Sequence, residues 1–210
     1  MSSDSDFATP HARSRIICAL RSENDDAGEE ERADSIRARY ERHGADAYYR
    51  GHAGDYANPH EPEVRQCIEM AASRWRLDLS RVLDLAAGSG EATLALRDLG
   101  AGAIEACDPY LFELYKRRVG QPCERFSFED IAAGALAARE YSLIVCSFGL
   151  HLVDPSRLPT VCLQLGLIAP ALLVLTPHKR PAIREQWGWQ LGGEFVWARV
   201  RARWYRSQKA

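Results

Sequence analysis

From Arg81 onward, short apolar runs alternate with longer stretches in which apolar residues recur at helical spacing. The runs that predict strands are, in order, RVLDLA, AIEACD, RFSFED, YSLIVCSF and ALLVLTP. The stretches between them, such as EATLALRDLG and YLFELYKRRV, favour helices. Strands that alternate with helices of this length are joined by right-handed crossovers. The pattern therefore predicts an α/β domain with a doubly wound, mostly parallel Rossmann-like sheet.

The regions on either side of this pattern differ from it. Residues 1–34 are polar and rich in acids, and we expect them to form a flexible leader. Residues 35–80 are predicted to hold helices and an irregular lid segment, with an amphipathic helix over residues 63–75. Residues 81–210 are assigned to the core. It is predicted to end in an antiparallel hairpin that turns at Gly192 and Gly193, with a helix over part of this stretch as the alternative.

The bulk composition argues against several classes of protein. A chain of 210 residues with a formal net charge of -2 has the length of one domain and no overall attraction to nucleic acid or to an anionic membrane. Its six cysteines are scattered singly, which argues against a disulfide framework and a zinc site, and we expect no metal. No long apolar run follows the amino terminus. We therefore expect no signal peptide and no membrane partner, and a cytoplasmic protein with the nucleus as the alternative.

A glycine-rich turn follows the first predicted strand. The segment VLDLAAGSGEAT places Gly88 and Gly90 where the chain must turn tightly and where a ligand can approach the backbone. A dinucleotide-binding turn has a third small residue at the position of Thr93, and a carboxylate such as Asp84 would repel phosphates. The same carboxylate suits a ligand that carries an ammonium and a sulfonium group, as S-adenosylmethionine does.

This turn resembles the first motif of the class I S-adenosylmethionine-dependent methyltransferases, with Ala86 in place of the commonest first glycine. The similarity continues in the same order from Val82 to Pro177. It implies the class I methyltransferase fold and S-adenosylmethionine as the cofactor. The cofactor-binding residues that it implies are Asp84, Ala86, Gly88 and Gly90 at the turn, Asp108 and Pro109 after the second strand, Asp130 and Ile131 after the third, and Ser147 at the end of the fourth.

The resemblance also implies roles for two of these aspartates. Asp108 stands where the family uses an acidic residue to hold both ribose hydroxyls. Asp130 matches the residue that accepts a hydrogen bond from the adenine amino group, with Phe128 or Ile131 beside the ring. The alternative for either aspartate is a helix cap or a turn residue.

The segment CSFGLHLVDPSRL resembles the one that faces the transferred methyl group in many small-molecule and lipid-quinone methyltransferases. It implies that His151 is catalytic and removes a proton from the acceptor. The alternative is a histidine that is hydrogen-bonded to backbone beneath the cleft. His178 and Lys179 follow the fifth predicted strand at the same edge, where they would bind an acidic acceptor or remain solvated.

An aromatic segment precedes the helix over residues 63–75, at the place where related enzymes fold a lid over cofactor and substrate. Such a lid excludes water and limits loss of the activated methyl group. A packed surface loop is the alternative. The candidate lid residues are Tyr48, Tyr49, Tyr56, Asn58 and His60.

Basic residues are concentrated near the carboxyl terminus, where residues 178–210 include eight Lys or Arg and two Glu. Arg199, Arg201 and Arg203 alternate with apolar residues, so a strand here would carry its arginines on one face. We interpret this as the solvated face of an edge strand. The alternative is a stripe for RNA phosphates or for an acidic protein, so nucleic acid is a partner that the sequence permits without establishing it, and the oligomeric state is not set.

The predicted function is transfer of the methyl group of S-adenosylmethionine, by in-line displacement, to an oxygen or nitrogen atom of a small-molecule acceptor. A methyltransferase that acts on RNA or protein is the second hypothesis. The rival classes are a nicotinamide-dependent oxidoreductase and a non-catalytic binding module that keeps the cofactor fold.

Overall fold

The computed structural model describes residues 58–209, and its elements follow the predicted alternation. The strands are β1 (Arg81–Leu85), β2 (Ala103–Cys107), β3 (Leu143–Ser147), β4 (Ala171–Thr176), β5 (Trp189–Trp197) and β6 (Val200–Ser207). The α-helices are α1 (Glu61–Trp75), α2 (Glu91–Asp98), α3 (Phe112–Val119), α4 (Phe128–Ala132) and α5 (Leu158–Ile168). Short 3₁₀ helices lie at Leu150–Leu152 and Glu185–Trp187.

The strands form one sheet in the order β2-β1-β3-β4-β6-β5. β1 pairs in parallel with β2 and with β3, and β3 pairs in parallel with β4. β6 lies antiparallel between β4 and β5. The doubly wound, mostly parallel sheet with a carboxyl-terminal antiparallel hairpin is thus confirmed. Because the chain leaves β1 toward one side of the sheet and returns on its other side at β3, the carboxyl ends of these two strands flank the crevice where such sheets bind ligands.

Alternate side chains of the central strands pack into two apolar layers. On β3, Leu143 and Val145 face the layer built with α1 and α2, whereas Ile144 and Cys146 face the layer built with α5. Every residue of β3 is buried, as expected of a parallel strand that is covered on both faces. The buried residues that α1 contributes are Val64, Cys67, Ile68 and Ala71. This helix therefore belongs to the same core as the sheet.

The third predicted strand is wrong. The segment RFSFED forms no strand: an isolated parallel bridge joins Cys107 to Glu124, the residue directly before the segment, and α4 begins within the segment at Phe128. Ser127 and Asp130 form a capping box, in which each side chain bonds to the other residue's backbone N–H. This cap satisfies amides at the start of α4, and that local gain outweighs the strand propensity of the phenylalanines. The fourth and fifth predicted strands are therefore β3 and β4.

The carboxyl-terminal hairpin turns at a different place from the one predicted. Gly192 and Gly193 lie inside β5, at a bulge that shifts the strand register. The turn is formed by Ala198 and Arg199, whose φ angles are +43° and +69°. A Cβ atom on Gly193 would lie 2.5 Å from Nε1 of Trp75, so these glycines make room for packed indole rings instead of a reversal of the chain.

The prediction of a solvated, edge-strand arginine face is also wrong. β6 is an interior strand, and Arg203 is only 7% exposed. Its guanidinium donates to the carbonyl oxygens of Lys179 and Pro181, both at 2.8 Å, and pairs with the Glu194 carboxylate. Arg201 pairs with the same carboxylate. Arginines that are held in this way do not present a row of free donors to phosphate groups.

Some predictions lie outside the residues that the structure describes. These are the flexible leader of residues 1–34 and the lid residues Tyr48, Tyr49 and Tyr56. Within residues 58–209, no helix is both long and apolar enough to cross a membrane. In the same part of the chain, no three His, Cys, Asp or Glu side chains are grouped so that they could hold a metal ion.

Candidate functional site

The turn between β1 and α2 is built from residues in left-handed backbone conformations. The φ angle is +55° at Ala86, +57° at Gly88 and +97° at Gly90. A Cβ atom on Gly90 would lie 2.2 Å from Cγ2 of Val119, so α2 can begin this close to α3 only with glycine at that position. Ala86 carries a side chain in a conformation that glycine favours. Backbone strain of this kind is concentrated at ligand sites.

Asp108 joins this turn to the end of β2. Its Oδ2 accepts the N–H of Gly88 at 3.0 Å, and its Oδ1 accepts the N–H groups of Tyr110 and Leu111 at 2.9 and 2.7 Å. Burial raises the pKa of Asp108 although these three bonds lower it. The carboxylate therefore holds the turn that leads into α3, whose N-cap is Leu111, and it also lies directly beside the glycine turn.

Asp84 is a fully buried carboxylate on β1. Its Oδ2 accepts the hydroxyl of Thr93 at 2.6 Å, whereas its buried Oδ1 has no hydrogen-bond partner within residues 58–209. Burial and the negative charges of Glu91 and Asp108 raise the pKa of Asp84 to about 7. Because charges interact strongly in a low-dielectric interior, a carboxylate in this state favours a cationic ligand nearby.

A polar network that the sequence analysis missed lies beside the same turn. Glu91 is 3% exposed and accepts the hydroxyl of Ser89, and burial raises the pKa of Glu91. The Arg118 guanidinium donates to Ser89 Oγ at 3.0 Å, lies 3.5 Å from the Glu91 carboxylate and pairs with Glu61. The network ties the first turns of α1 and α2 to the last turn of α3. The only sequence signal was an acidic residue directly after the last glycine.

The segments after β3 and β4 bring two predicted site residues into contact. The ring centroids of His151 and His178 lie 5.0 Å apart in an edge-to-face arrangement. Ser147, at the end of β3, is buried. Phe148 follows with φ at +55° and stacks on His60, with 5.4 Å between ring centroids. Aromatic and imidazole rings from three parts of the chain therefore lie around the carboxyl end of β3.

The remaining predicted residues lie in different surroundings. Asp130 is fully exposed and belongs to the capping box of α4, and hydrogen bonds from Ser127 lower its pKa. Ile131 is buried in the α5-side core, whereas Phe128 lies near Gly149 at the end of β3.

The side-chain oxygen of Asn58 accepts the N–H of His60 at 2.9 Å, which forms a turn ahead of α1. The Lys179 side chain is exposed, and the Lys179 carbonyl oxygen accepts a hydrogen bond from Arg203 of β6.

A protein of Schizosaccharomyces pombe described as uncharacterized is 31% identical to this chain over 220 aligned residues, which cover 79% of this chain and 89% of the yeast protein. The chain belongs to the same family as this yeast protein. No protein-family model matches the chain.

Solved structures show the same fold at low sequence identity. Magnesium protoporphyrin IX methyltransferase of Synechocystis, solved with bound S-adenosylmethionine, superposes with a TM-score of 0.55 and 16% identity over 82% of this chain and 95% of its own. An O-methyltransferase family protein of Burkholderia thailandensis superposes with a TM-score of 0.58 and 17% identity over 83% of this chain and 63% of its own. The fold of the chain is that of the class I S-adenosylmethionine-dependent methyltransferases.

Proposed function

We propose that the protein transfers the methyl group of S-adenosylmethionine to an oxygen or nitrogen atom of a small-molecule acceptor. One observation carries the proposal. At the switch point of a methyltransferase fold, a strained glycine turn lies beside a buried aspartate, Asp84, whose Oδ1 has no hydrogen-bond partner within residues 58–209. A turn in which glycine residues leave the backbone open to a ligand and a carboxylate in need of a positive charge both fit a cationic nucleoside ligand.

The residues around the turn suit different parts of the cofactor. Asp84 would attract the ammonium and sulfonium charges, and the backbone of Gly88 and Gly90 would approach the aminoacyl end closely. Asp108 uses three backbone donors, which leaves acceptor capacity on its two oxygens for ribose hydroxyls. Phe128, near the end of β3, is a better candidate than the buried Ile131 for packing against the adenine ring.

The acceptor would lie on the side of the histidines. S-adenosylmethionine supplies a methyl group on a sulfonium centre, which a nucleophile can displace directly. The task of the protein is then to align the nucleophile, exclude water and take up a proton. His151 lies just after β3, in contact with the ring of His178, and would accept that proton. His178 and Lys179 would favour an acidic acceptor.

A small acceptor is favoured over RNA or protein by the surroundings of the arginines. Arg201 and Arg203 are engaged with Glu194 and with loop carbonyls, so they do not offer a ready phosphate track. The stacked rings of Phe148 and His60 give the acceptor side of the site an aromatic surface, which suits a small planar molecule. We place the activity in the cytoplasm, with the nucleus as the alternative.

Titration calorimetry of the full chain with S-adenosylmethionine and, separately, with a nicotinamide dinucleotide tests the cofactor. We expect saturable binding of the first ligand alone, and the opposite preference would establish the oxidoreductase alternative. Tritiated methyl groups should then appear in the low-molecular-mass fraction of a cell extract. Label in the RNA or protein fraction would show that the acceptor is a macromolecule. Binding of S-adenosylmethionine without any transfer of label would indicate a non-catalytic binding module.

A further inference from the structure

A chain of hydrogen bonds runs from the surface to the buried carboxylate of Asp84. Gln121, just after α3, accepts a hydrogen bond from the Arg97 guanidinium on its Oε1. Its Nε2 donates to the carbonyl oxygen of Ile104 at 3.1 Å and to the Tyr115 hydroxyl at 2.7 Å. These contacts determine which side of the amide carries oxygen and which carries nitrogen, because a guanidinium only donates and a carbonyl only accepts.

The direction of every later hydrogen bond follows from that amide. Because the Tyr115 oxygen accepts from Gln121, its own proton is free to point to Oγ1 of Thr93, 2.9 Å away. The Thr93 hydroxyl then donates to Oδ2 of Asp84 at 2.6 Å. Hydroxyls that are aligned donor to acceptor polarise one another, so the last bond in the series is strengthened by the earlier ones.

We infer that Thr93 and Tyr115 are positioning residues for cofactor binding: their aligned hydroxyls hold one oxygen of Asp84 and direct its remaining acceptor capacity to the cationic end of the ligand. The inference rests on the proposed function, since it specifies how that site prepares its carboxylate. It also explains why a hydroxyl-bearing residue occupies position 93, where a dinucleotide-binding turn has a small apolar one.

The surroundings of Asp84 show why this support is needed. The ionisable groups that act on it are Glu91 of α2, Asp108 after β2 and Tyr115 of α3, together with the thiols of Cys107, Cys123 and Cys146. None of these groups carries a positive charge. Burial and the neighbouring carboxylates oppose ionisation of Asp84, and the Thr93 hydrogen bonds favour it. A cationic ligand adds to the favourable side, so its affinity should increase as the pH rises through the pKa of Asp84.

The test removes single oxygen atoms from the series. Thr93→Val and Tyr115→Phe each delete one hydroxyl with little change of shape, and Thr93→Ser keeps the hydroxyl. The matched control is Tyr141→Phe. Tyr141 is buried like Tyr115, and its hydroxyl donates to the Glu105 carboxylate at 2.8 Å, on a different part of the sheet.

Two quantities are measured on the full chain. The first is the pKa of Asp84 in the free protein, from carboxyl carbon chemical shifts, and the second is the affinity for S-adenosylmethionine from about pH 5.5 to 8.5. We expect Thr93→Val to raise the pKa by about one unit and to weaken binding about tenfold below the midpoint. Tyr115→Phe should also raise the pKa of Asp84, and it should weaken binding about threefold, because it removes only the hydroxyl that polarises Thr93. Thr93→Ser and Tyr141→Phe should follow the wild type, and titration of the ligand itself cancels in the comparison.

The outcomes separate this inference from the proposed function. If the pKa of Asp84 is the same in wild type, Thr93→Val and Tyr115→Phe, the positioning role of the two hydroxyls is overturned, whether or not S-adenosylmethionine binds. If the wild-type chain binds no S-adenosylmethionine at any pH, the proposed function is overturned, and so is the role of Thr93 and Tyr115 in cofactor binding, even if the pKa values shift. If Thr93→Val does not fold, the comparison of Tyr115→Phe with Tyr141→Phe decides the question.

Discussion

At the scale of single residues, strain and buried charge occur together at the carboxyl ends of β1 and β3. Ala86 and Phe148 both adopt φ at +55°, and Asp84, Glu91 and Asp108 are buried carboxylates whose pKa values burial raises. Each of these features costs stability in the free protein. Such costs persist where function requires them, so their concentration at one edge supports the proposed site.

Asp84 makes the stability of the free protein depend on pH. Its pKa is raised from 3.8 when unfolded to about 7 when folded, so the native state binds more protons between these values. The contribution of Asp84 to stability is therefore lost as the pH rises from about 4 to 7. We expect Asp84→Asn, without cofactor, to melt at a higher temperature than wild type at pH 8, with the difference shrinking toward pH 5. Thermal unfolding of both proteins at several pH values tests this prediction. A difference in melting temperature that does not change with pH would contradict it.

Under the proposed function, His151 takes up the proton of the acceptor. Replacing it with alanine should lower kcat by about 10²- to 10⁴-fold, because a positioned base contributes that much to proton removal. The dissociation constant for S-adenosylmethionine should stay the same, since the aspartates and the glycine turn remain. Turnover is measured on the acceptor fraction that becomes labelled, with calorimetry as the affinity control. Unchanged turnover would remove His151 from the mechanism.

At the scale of elements, the glycine turn after β1 is matched to the segment after β3. A Cβ atom on Gly149 would lie 2.5 Å from the Cβ of Ala86 and 3.1 Å from Sγ of Cys146. The methyl group of Ala86 therefore fills the space that a side chain at position 149 would need. An alanine in the first motif position is compatible with this fold because a glycine faces it.

This pairing predicts a measurable coupling. Gly149→Ala should destabilise the protein by about 1–3 kcal/mol through overpacking. Adding Ala86→Gly removes the closest clash and should recover a large part of that loss, so the two substitutions are not additive. Urea unfolding of both single variants and the double variant measures the coupling. Additive effects would show that the two segments do not depend on each other.

The loop after β4 is another element held by a distant residue. Arg203 of β6 binds the carbonyl oxygens of Lys179 and Pro181, which follow His178 in this loop. This geometry requires the fork of a guanidinium, which an ammonium group does not provide. The loop that presents His178 to His151 therefore depends on the hairpin.

Arg203→Lys should lower the free energy of unfolding by about 1–3 kcal/mol, because two buried carbonyls lose their donors. It should also reduce methyl transfer more than it reduces cofactor affinity, since the loop lies on the acceptor side. Arg201→Lys is the matched control, because Arg201 pairs with the same Glu194 carboxylate and is more exposed. Equal effects of the two substitutions would contradict a role for Arg203 in holding the loop.

At the scale of the whole molecule, a ligand that binds only the native state must stabilise all of it. S-adenosylmethionine at about 100 times its Kd should add about 2.7 kcal/mol, which raises Tm by roughly 5–10 °C for a chain of this size. A nicotinamide dinucleotide at the same concentration should leave Tm unchanged. Differential scanning calorimetry distinguishes the two ligands, and equal shifts would point to binding that does not depend on the turn.

How much could be predicted depended on whether the signal was local. The buried strands β1, β3 and β4 were predicted because their continuous apolar runs reflect burial on both faces. The strand predicted over RFSFED was wrong because the prediction rested on the alternation of apolar residues. The capping box of Ser127 and Asp130, which starts a helix there, was also visible in the sequence. Gly192 and Gly193 predict a turn from their residue type alone, because nothing local in the sequence indicates that the Trp75 and Trp204 rings pack against them.

The sequence by itself determined the alternation of β1 to β4 with helices, the presence of a carboxyl-terminal hairpin and the glycine turn with its two aspartates, because periodicity and turn chemistry act over a few neighbouring residues. Only the tertiary structure decided which polar groups share an environment. It placed Thr93, Tyr115 and Gln121 in line behind Asp84 and His178 against His151, and it buried Arg203 among loop carbonyls. These contacts join residues far apart in the chain, and their energies arise only when the sheet and helices have closed around them.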